Sequence, residues 1–150
     1  MHRAENFICI SYPKIDFLIP GDFVISAVSI SDLDSSLLHD QTAGIFDFDE
    51  IAAVFAQLPR EANIKTMILL KGEDDIPQSV VTAQECKVCT VQLDEFSLFT
   101  DFYADSFKKF GLLACIFNNN RIRFLIDIKR IMEYLQSSSV NTDECFGGVR

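Results

Sequence analysis

The chain has 150 residues, 49% of them hydrophobic and 23% charged, which is enough for one domain with a sizeable core and too apolar for disorder. Lys and Arg number 13 against 22 Asp and Glu, and the resulting net charge of -9 argues against a phosphate-coating protein and disfavours anionic membranes. Mean hydropathy is high at +0.19, yet no apolar run approaches the ~20 residues of a membrane-spanning helix.

The first residues, Met1 to Asn6, carry one Arg and then an acid, and the apolar stretch Phe7 to Ile10 is too short for a signal-peptide core. Five cysteines are an odd number in a chain large enough to stabilise itself without staples. The expectation is reduced, mostly buried thiols and a cytoplasmic location.

Residues 7–11 and 15–19 are short apolar runs separated by Tyr12-Pro13-Lys14, and this spacing predicts a hairpin. After Pro20-Gly21-Asp22, the β-branched residues of Phe23 to Ile30 suit a third strand. Ser31 to Gly44 is rich in turn-formers and predicts a loop with one helical turn at most. Ile45 to Phe48 reads as a strand, and Asp49 as the cap of a helix that Pro59 stops. Phe48, Ile51, Ala52 and Phe55 supply its buried stripe.

Ile64 to Leu70, Val80-Val81 and Lys87 to Leu93 predict three further strands, with a charged turn over Lys71 to Asp75. Residues 94–110 are aromatic and irregular, a loop packed onto the body or a short helix, and their Phe residues suit a core role better than an exposed docking patch. Leu112 to Phe117 and Ile122 to Ile126 form a second hairpin, because Asn118-Asn119-Asn120 tolerates the left-handed backbone of a tight turn. Asp127 then caps a closing helix with Ile128, Ile131, Met132 and Leu135 as its stripe, followed by a polar tail over 137–150.

Phe46-Asp47-Phe48-Asp49-Glu50-Ile51 and Ile126-Asp127-Ile128-Lys129-Arg130-Ile131 share the form apolar-Asp-apolar-x-x-Ile, eighty residues apart. One strand feeding one amphipathic helix, used twice, predicts two related halves in a single domain over 1–136 rather than a solenoid.

Catalytic and metal chemistry find little support. Cys86-Lys87-Val88-Cys89 is the one C-x-x-C and lacks the second pair that a structural zinc site needs. In a strand its two thiols point to opposite faces. His2 and His39 are poor bases for a nucleophile, and Glu73-Asp74-Asp75 reads as a solvated turn. The six glycines, at 21, 44, 72, 111, 147 and 148, make no phosphate loop. No catalytic residue, metal or cofactor is assigned.

Phe7 to Ser11, the short turn, and Phe17-Leu18-Ile19-Pro20 resemble the opening hairpin of the CheW-like domain, the module of chemotaxis coupling proteins and of the regulatory end of the chemotaxis histidine kinase. Gly111 to Phe117, the Asn turn, and Arg121 to Leu135 resemble its closing pattern of Gly, strand, turn, strand ending in apolar-Asp-apolar, and helix. The resemblance spans residues 7–136. Two departures stand out: Ser31 to Gly44 is too short for the family's usual loop and hairpin, and Val81-Thr82 replaces an apolar-Asp pair.

The resemblance implies a mainly β fold of two small interlocked β-barrel subdomains, with short helices after the strand pairs and a C-terminal helix. It implies a non-enzymatic adaptor that couples chemoreceptors to a histidine kinase. The implied partners are the kinase regulatory domain and the chemoreceptor cytoplasmic tip, with no nucleic acid and no membrane insertion, and with self-association open. Phe23, beside the Pro20-Gly21 turn, and Asn119 and Arg121, at the second hairpin, are the candidates for a partner surface. Two alternatives stay open: a degenerate regulatory or oligomerisation module that no longer binds the kinase, and a small-molecule-binding barrel, for which the sequence shows no convergent polar set.

Overall fold

The computed structural model describes residues 3–29, 45–56, 64–72, 76–99, 105 and 107–133, with the side chains of 54–56 left aside. Among them run ten strands, two short helices and a further helical turn over 107–109. The strands are β1 (Ala4–Tyr12), β2 (Ile15–Pro20), β3 (Val24–Ser29), β4 (Ile45–Asp47), β5 (Thr66–Leu70), β6 (Gln78–Thr82), β7 (Cys86–Gln92), β8 (Ser97–Leu98), β9 (Leu112–Asn118) and β10 (Arg121–Ile126). The helices are α1 (Asp49–Ala56) and α2 (residues 128–133). The expected mainly β architecture is what forms.

Both expected hairpins are present and close as their turn residues dictate. Lys14 follows Pro13 at φ 67°, and Asn119 and Asn120 sit at φ 53° and 61°, the left-handed pair of a two-residue hairpin turn. The segment expected to open the third strand differs at its start: Gly21–Phe23 form a single 3-10 turn, and β3 begins at Val24. The expected loop over Ser31 to Gly44, the end of the first helix, Leu135 and the tail over 137–150 lie outside the described residues.

The strands assort into two sheets. One has the order β7-β1-β2-β10-β9-β8 and the other β3-β5-β6-β4. The first combines β1 and β2 with β7 to β10, and the second takes β3 to β6, so the strands of one sheet flank those of the other in sequence. Four successive positions match between them. In the first sheet β2 pairs antiparallel with β1 and parallel with β10, and β7 pairs antiparallel with β1. In the second, β6 pairs antiparallel with β5 and parallel with β4, and β3 pairs antiparallel with β5.

The first sheet is strongly curled. Its edge strands β7 and β8 are consecutive in sequence, joined by a 3-10 turn over Leu93–Glu95. Flat, six strands would hold those edges about 24 Å apart, yet the five steps from Gln92 to Ser97 span at most about 18 Å even when extended. A bulge between Leu125 and Ile126 helps the bend.

Curling gives this sheet two apolar faces and the protein two cores. The larger core lies between the sheets and under both helices. Ile8, Ile10, Phe17 and Ile19 meet Ile68, Leu70 and Val80 there, with Phe48 and Ile51 of the first Asp element and Ile128, Ile131 and Met132 of the second. Phe17 is its centre, edge-on to Tyr12 at 5.7 Å and Phe48 at 5.3 Å and stacked on Phe124 at 5.9 Å. The smaller core fills the inside of the curl with Phe7, Cys9, Leu18 and Val91, closed by Phe96. Phe99 and Phe107 pack on the larger core, as a core reading of the aromatic stretch requires.

The two Asp elements start their helices differently from expectation at one point. Asp127 does cap α2, its carboxylate accepting the Arg130 amide at 3.3 Å. At α1 it is Asp47 that accepts locally, from the Asp49 amide at 3.0 Å. The Asp49 carboxylate, expected to cap, turns instead into the space between the sheets.

Candidate functional site

Two polar constellations stand out, and they do opposite jobs. The first is sealed. Asp49 is only 7% exposed, and its Oδ1 accepts the Tyr12 hydroxyl and, at 2.6 Å, the Thr82 hydroxyl, while Oδ2 accepts the Ala83 amide at 2.8 Å. Thr82 Oγ1 also accepts the Gln84 amide at 3.1 Å. Tyr12 comes from the first sheet, Thr82 from the second and Asp49 from α1, so one carboxylate ties three elements together. Burial, and then the hydrogen bond to Asp49, push the Tyr12 hydroxyl far above the usual tyrosine range, which keeps it a donor at any physiological pH. Thr82 is the residue that stands where the family resemblance carries an Asp, and here the carboxylate arrives from Asp49.

The second constellation is open. At one end of the curled sheet, the strands that enclose the small core end in polar residues on the same inward-facing side: Ser11 of β1, Asp16 of β2, Lys87 of β7, Asn118 of β9, and Arg121 and Arg123 of β10. Register shows the shared face, since Lys87 pairs with Cys9 and Arg123 with Asp16 and Ile116. With Asn119 of the hairpin turn they line a shallow cavity of about 470 Å³ over the small core.

Asp16 is 5% exposed, too buried to tolerate an unpaired charge. Arg121 Nη1 lies 2.6 Å from its Oδ1 and also donates to the Tyr12 carbonyl at 3.0 Å. Arg123 Nε lies 3.4 Å from Oδ2, and Arg123 Nη2 donates to Cys89 Sγ at 3.2 Å. Both carboxylate oxygens are therefore engaged, with two guanidiniums for one negative charge.

Of the three residues expected to form a partner surface, the structure brings two together. Asn119 is exposed at the hairpin tip, and Arg121 lines the same cavity with its side chain 41% exposed. Phe23 does not line it; its ring packs against the large core with Lys129 Nζ 5.7 Å above it.

Sequence reading missed Ser11, Asp16, Lys87 and Arg123, and so missed the convergent polar set. The signal was the polar alternation Arg121-Ile122-Arg123 and the single acid in Ile15-Asp16-Phe17.

The C-x-x-C thiols divide as their spacing demands. Cys86 packs on the large core and Cys89 on the small one. Burial pushes the Cys86 thiol up to about 12 and raises Cys89 and Cys115 as well. Raised in this way, these three thiols stay protonated near neutral pH. Among the described residues no group of three or more His, Cys, Asp or Glu could hold a metal ion, and no helix is long and apolar enough to cross a membrane.

No family model matches the sequence, and no curated protein matches it. Structure, however, does find a likeness of fold. The chain is similar to the crystal structure of the scaffolding protein TtCheW from Thermoanaerobacter tengcongensis, with a TM-score of 0.51 over 83% of this chain and 90% of that one, at 8% identity. The chain has a CheW-like fold.

Proposed function

We propose that this chain is a non-enzymatic cytoplasmic adaptor of chemotaxis-type signal transduction, joining chemoreceptors to the regulatory domain of a histidine kinase through protein-protein contacts. One observation carries the reading: the two-sheet fold is similar to that of a scaffolding protein over 83% of this chain and 90% of that one. Fold likeness alone is an argument by analogy, and the site chemistry supports it. The buried acid and phenol, Asp49 and Tyr12, are spent on holding the sheets together. The open polar set presents hydrogen-bond donors and charge around an apolar floor, the composition of a contact surface.

The same reading takes residues 1–136 as one domain of two related halves, with 137–150 as a tail. The matched strand orders and the two strand-Asp-helix elements support that relation.

The test is reconstitution from the organism that encodes the chain. Mixed with the kinase regulatory domain and a receptor cytoplasmic-tip fragment, the chain is expected to shift both into a larger species on size exclusion. Independent elution of all three, with each shown to be folded, overturns the proposal.

A further inference from the structure

We infer that the mouth of the curled sheet is a carboxylate-binding site that receives acidic side chains from an extended segment of a partner protein. The inference rests on the adaptor reading and adds the chemistry of the partner.

Charge is the first ground. The chain has 22 acids and 13 bases, yet the cavity is lined by Lys87, Arg121 and Arg123 against Asp16 alone. Asp16 already has both oxygens engaged by arginines. Among the described residues, Lys87 makes no ion pair or hydrogen bond through its side chain, and Arg121 uses only Nη1, leaving Nε and Nη2 without partners. An excess of positive charge is thus held in place by a buried acid and directed outward.

Geometry is the second ground. A guanidinium fork, a mobile ammonium and the amides of Asn118 and Asn119 around one shallow cavity suit a planar carboxylate. At about 470 Å³ the space admits one or two acidic side chains and no folded domain. Lys87 lies on β7, an edge strand, so an extended segment reaches it without displacing a neighbour. A net charge of -9 opposes a long polyanion, whereas a few carboxylates respond to the local field within a Debye length of about 8–10 Å.

The test is a titration of the full chain, followed by amide NMR, with an end-blocked eight-residue peptide alternating Glu and Ser. Saturable shifts confined to Ser11, Lys87, Asn118, Asn119 and Arg121, weakening with salt, are expected. Lys87→Glu, at an exposed position that leaves folding intact, should weaken binding about tenfold or more, and Lys87→Arg should retain it. The matching Gln-Ser peptide should give no shifts. Absent or scattered shifts, or unchanged affinity in Lys87→Glu, overturn the inference. Glutarate binding as tightly as the peptide overturns the partner segment in favour of a free small carboxylate, and oligothymidylate binding equally well overturns carboxylate selection. Peptide-independent shifts that grow with protein concentration point to a second copy and overturn it too. Kinase-domain binding indifferent to Lys87→Glu removes this inference and leaves the adaptor reading. Peptide binding without any kinase-domain binding does the reverse.

Discussion

Removing the Tyr12 hydroxyl tests whether the Asp49 carboxylate fastens the two sheets. Tyr12→Phe keeps the ring on Phe17 and deletes one hydrogen bond to a buried, charged acceptor. Bonds to charged groups contribute about 1.5–3 kcal/mol each, which in a domain of this size lowers Tm by about 4–10 °C. Asp49→Ala is worse, because it strands the buried Tyr12 hydroxyl and the Ala83 amide together, at a cost of about 3–5 kcal/mol. Asp49→Asn should fall between, since an amide offers one acceptor where three donors converge. The decisive assay is a double-mutant cycle of Tyr12→Phe with Asp49→Ala by urea unfolding, with a coupling of about 1–3 kcal/mol expected. Additive single effects, with coupling below about 0.5 kcal/mol, would refute the fastening role.

Three further predictions concern the same framework. Because burial and the Asp49 bond raise the Tyr12 pKa, the unfolded chain loses a proton above about pH 10 that the native protein keeps. Stability is therefore full below that pH and falls above it by up to about 1.4 kcal/mol per pH unit; urea midpoints from about pH 9 to 11 should fall less steeply in Tyr12→Phe, and parallel slopes would contradict the cause. Gly111 sits at φ +90°, where an added Cβ would lie 2.7 Å from Ile131 Cγ1, so Gly111→Ala should cost about 2 kcal/mol or more in unfolding experiments, and a neutral result would show that the α2 junction yields. Cys86, with its thiol pushed up to about 12, should alkylate with iodoacetamide about a hundredfold or more slower than free cysteine near pH 8; mass spectrometry finding equal rates would reopen a redox role for the C-x-x-C.

Much of the framework is written locally. Pro13-Lys14 and the Asn run announce their hairpins because turn backbone is set by a residue or two, and the stripes Phe48, Ile51, Ala52 and Ile128, Ile131, Met132 announce core helices by spacing alone. What local pattern does not carry is which of two nearby acids serves the helix and which serves another sheet. Asp47 and Asp49 differ only in the neighbours that tertiary structure brings, Thr82 and Tyr12, thirty-three and thirty-seven residues away in sequence. The charged mouth was hidden for the same reason. Asp16 and Arg121 meet only because β10 pairs in parallel with β2, a pairing 105 residues long-range. That contact also changes how Arg121 can be used: reversing its charge would unpair a buried acid, so a loss of binding there would report on folding as much as on a surface. Lys87 and Asn119 are the cleaner probes.

The most direct measurement of the central claim is calorimetric titration of the chain against the regulatory domain of the chemotaxis kinase from the same organism, at low and moderate salt. The adaptor account predicts saturable one-to-one binding with Kd of about 1–10 μM, near -7 to -8 kcal/mol. No heat and no binding from two folded proteins at high concentration would contradict it, and would mean that a CheW-like fold has been kept here without the kinase contact.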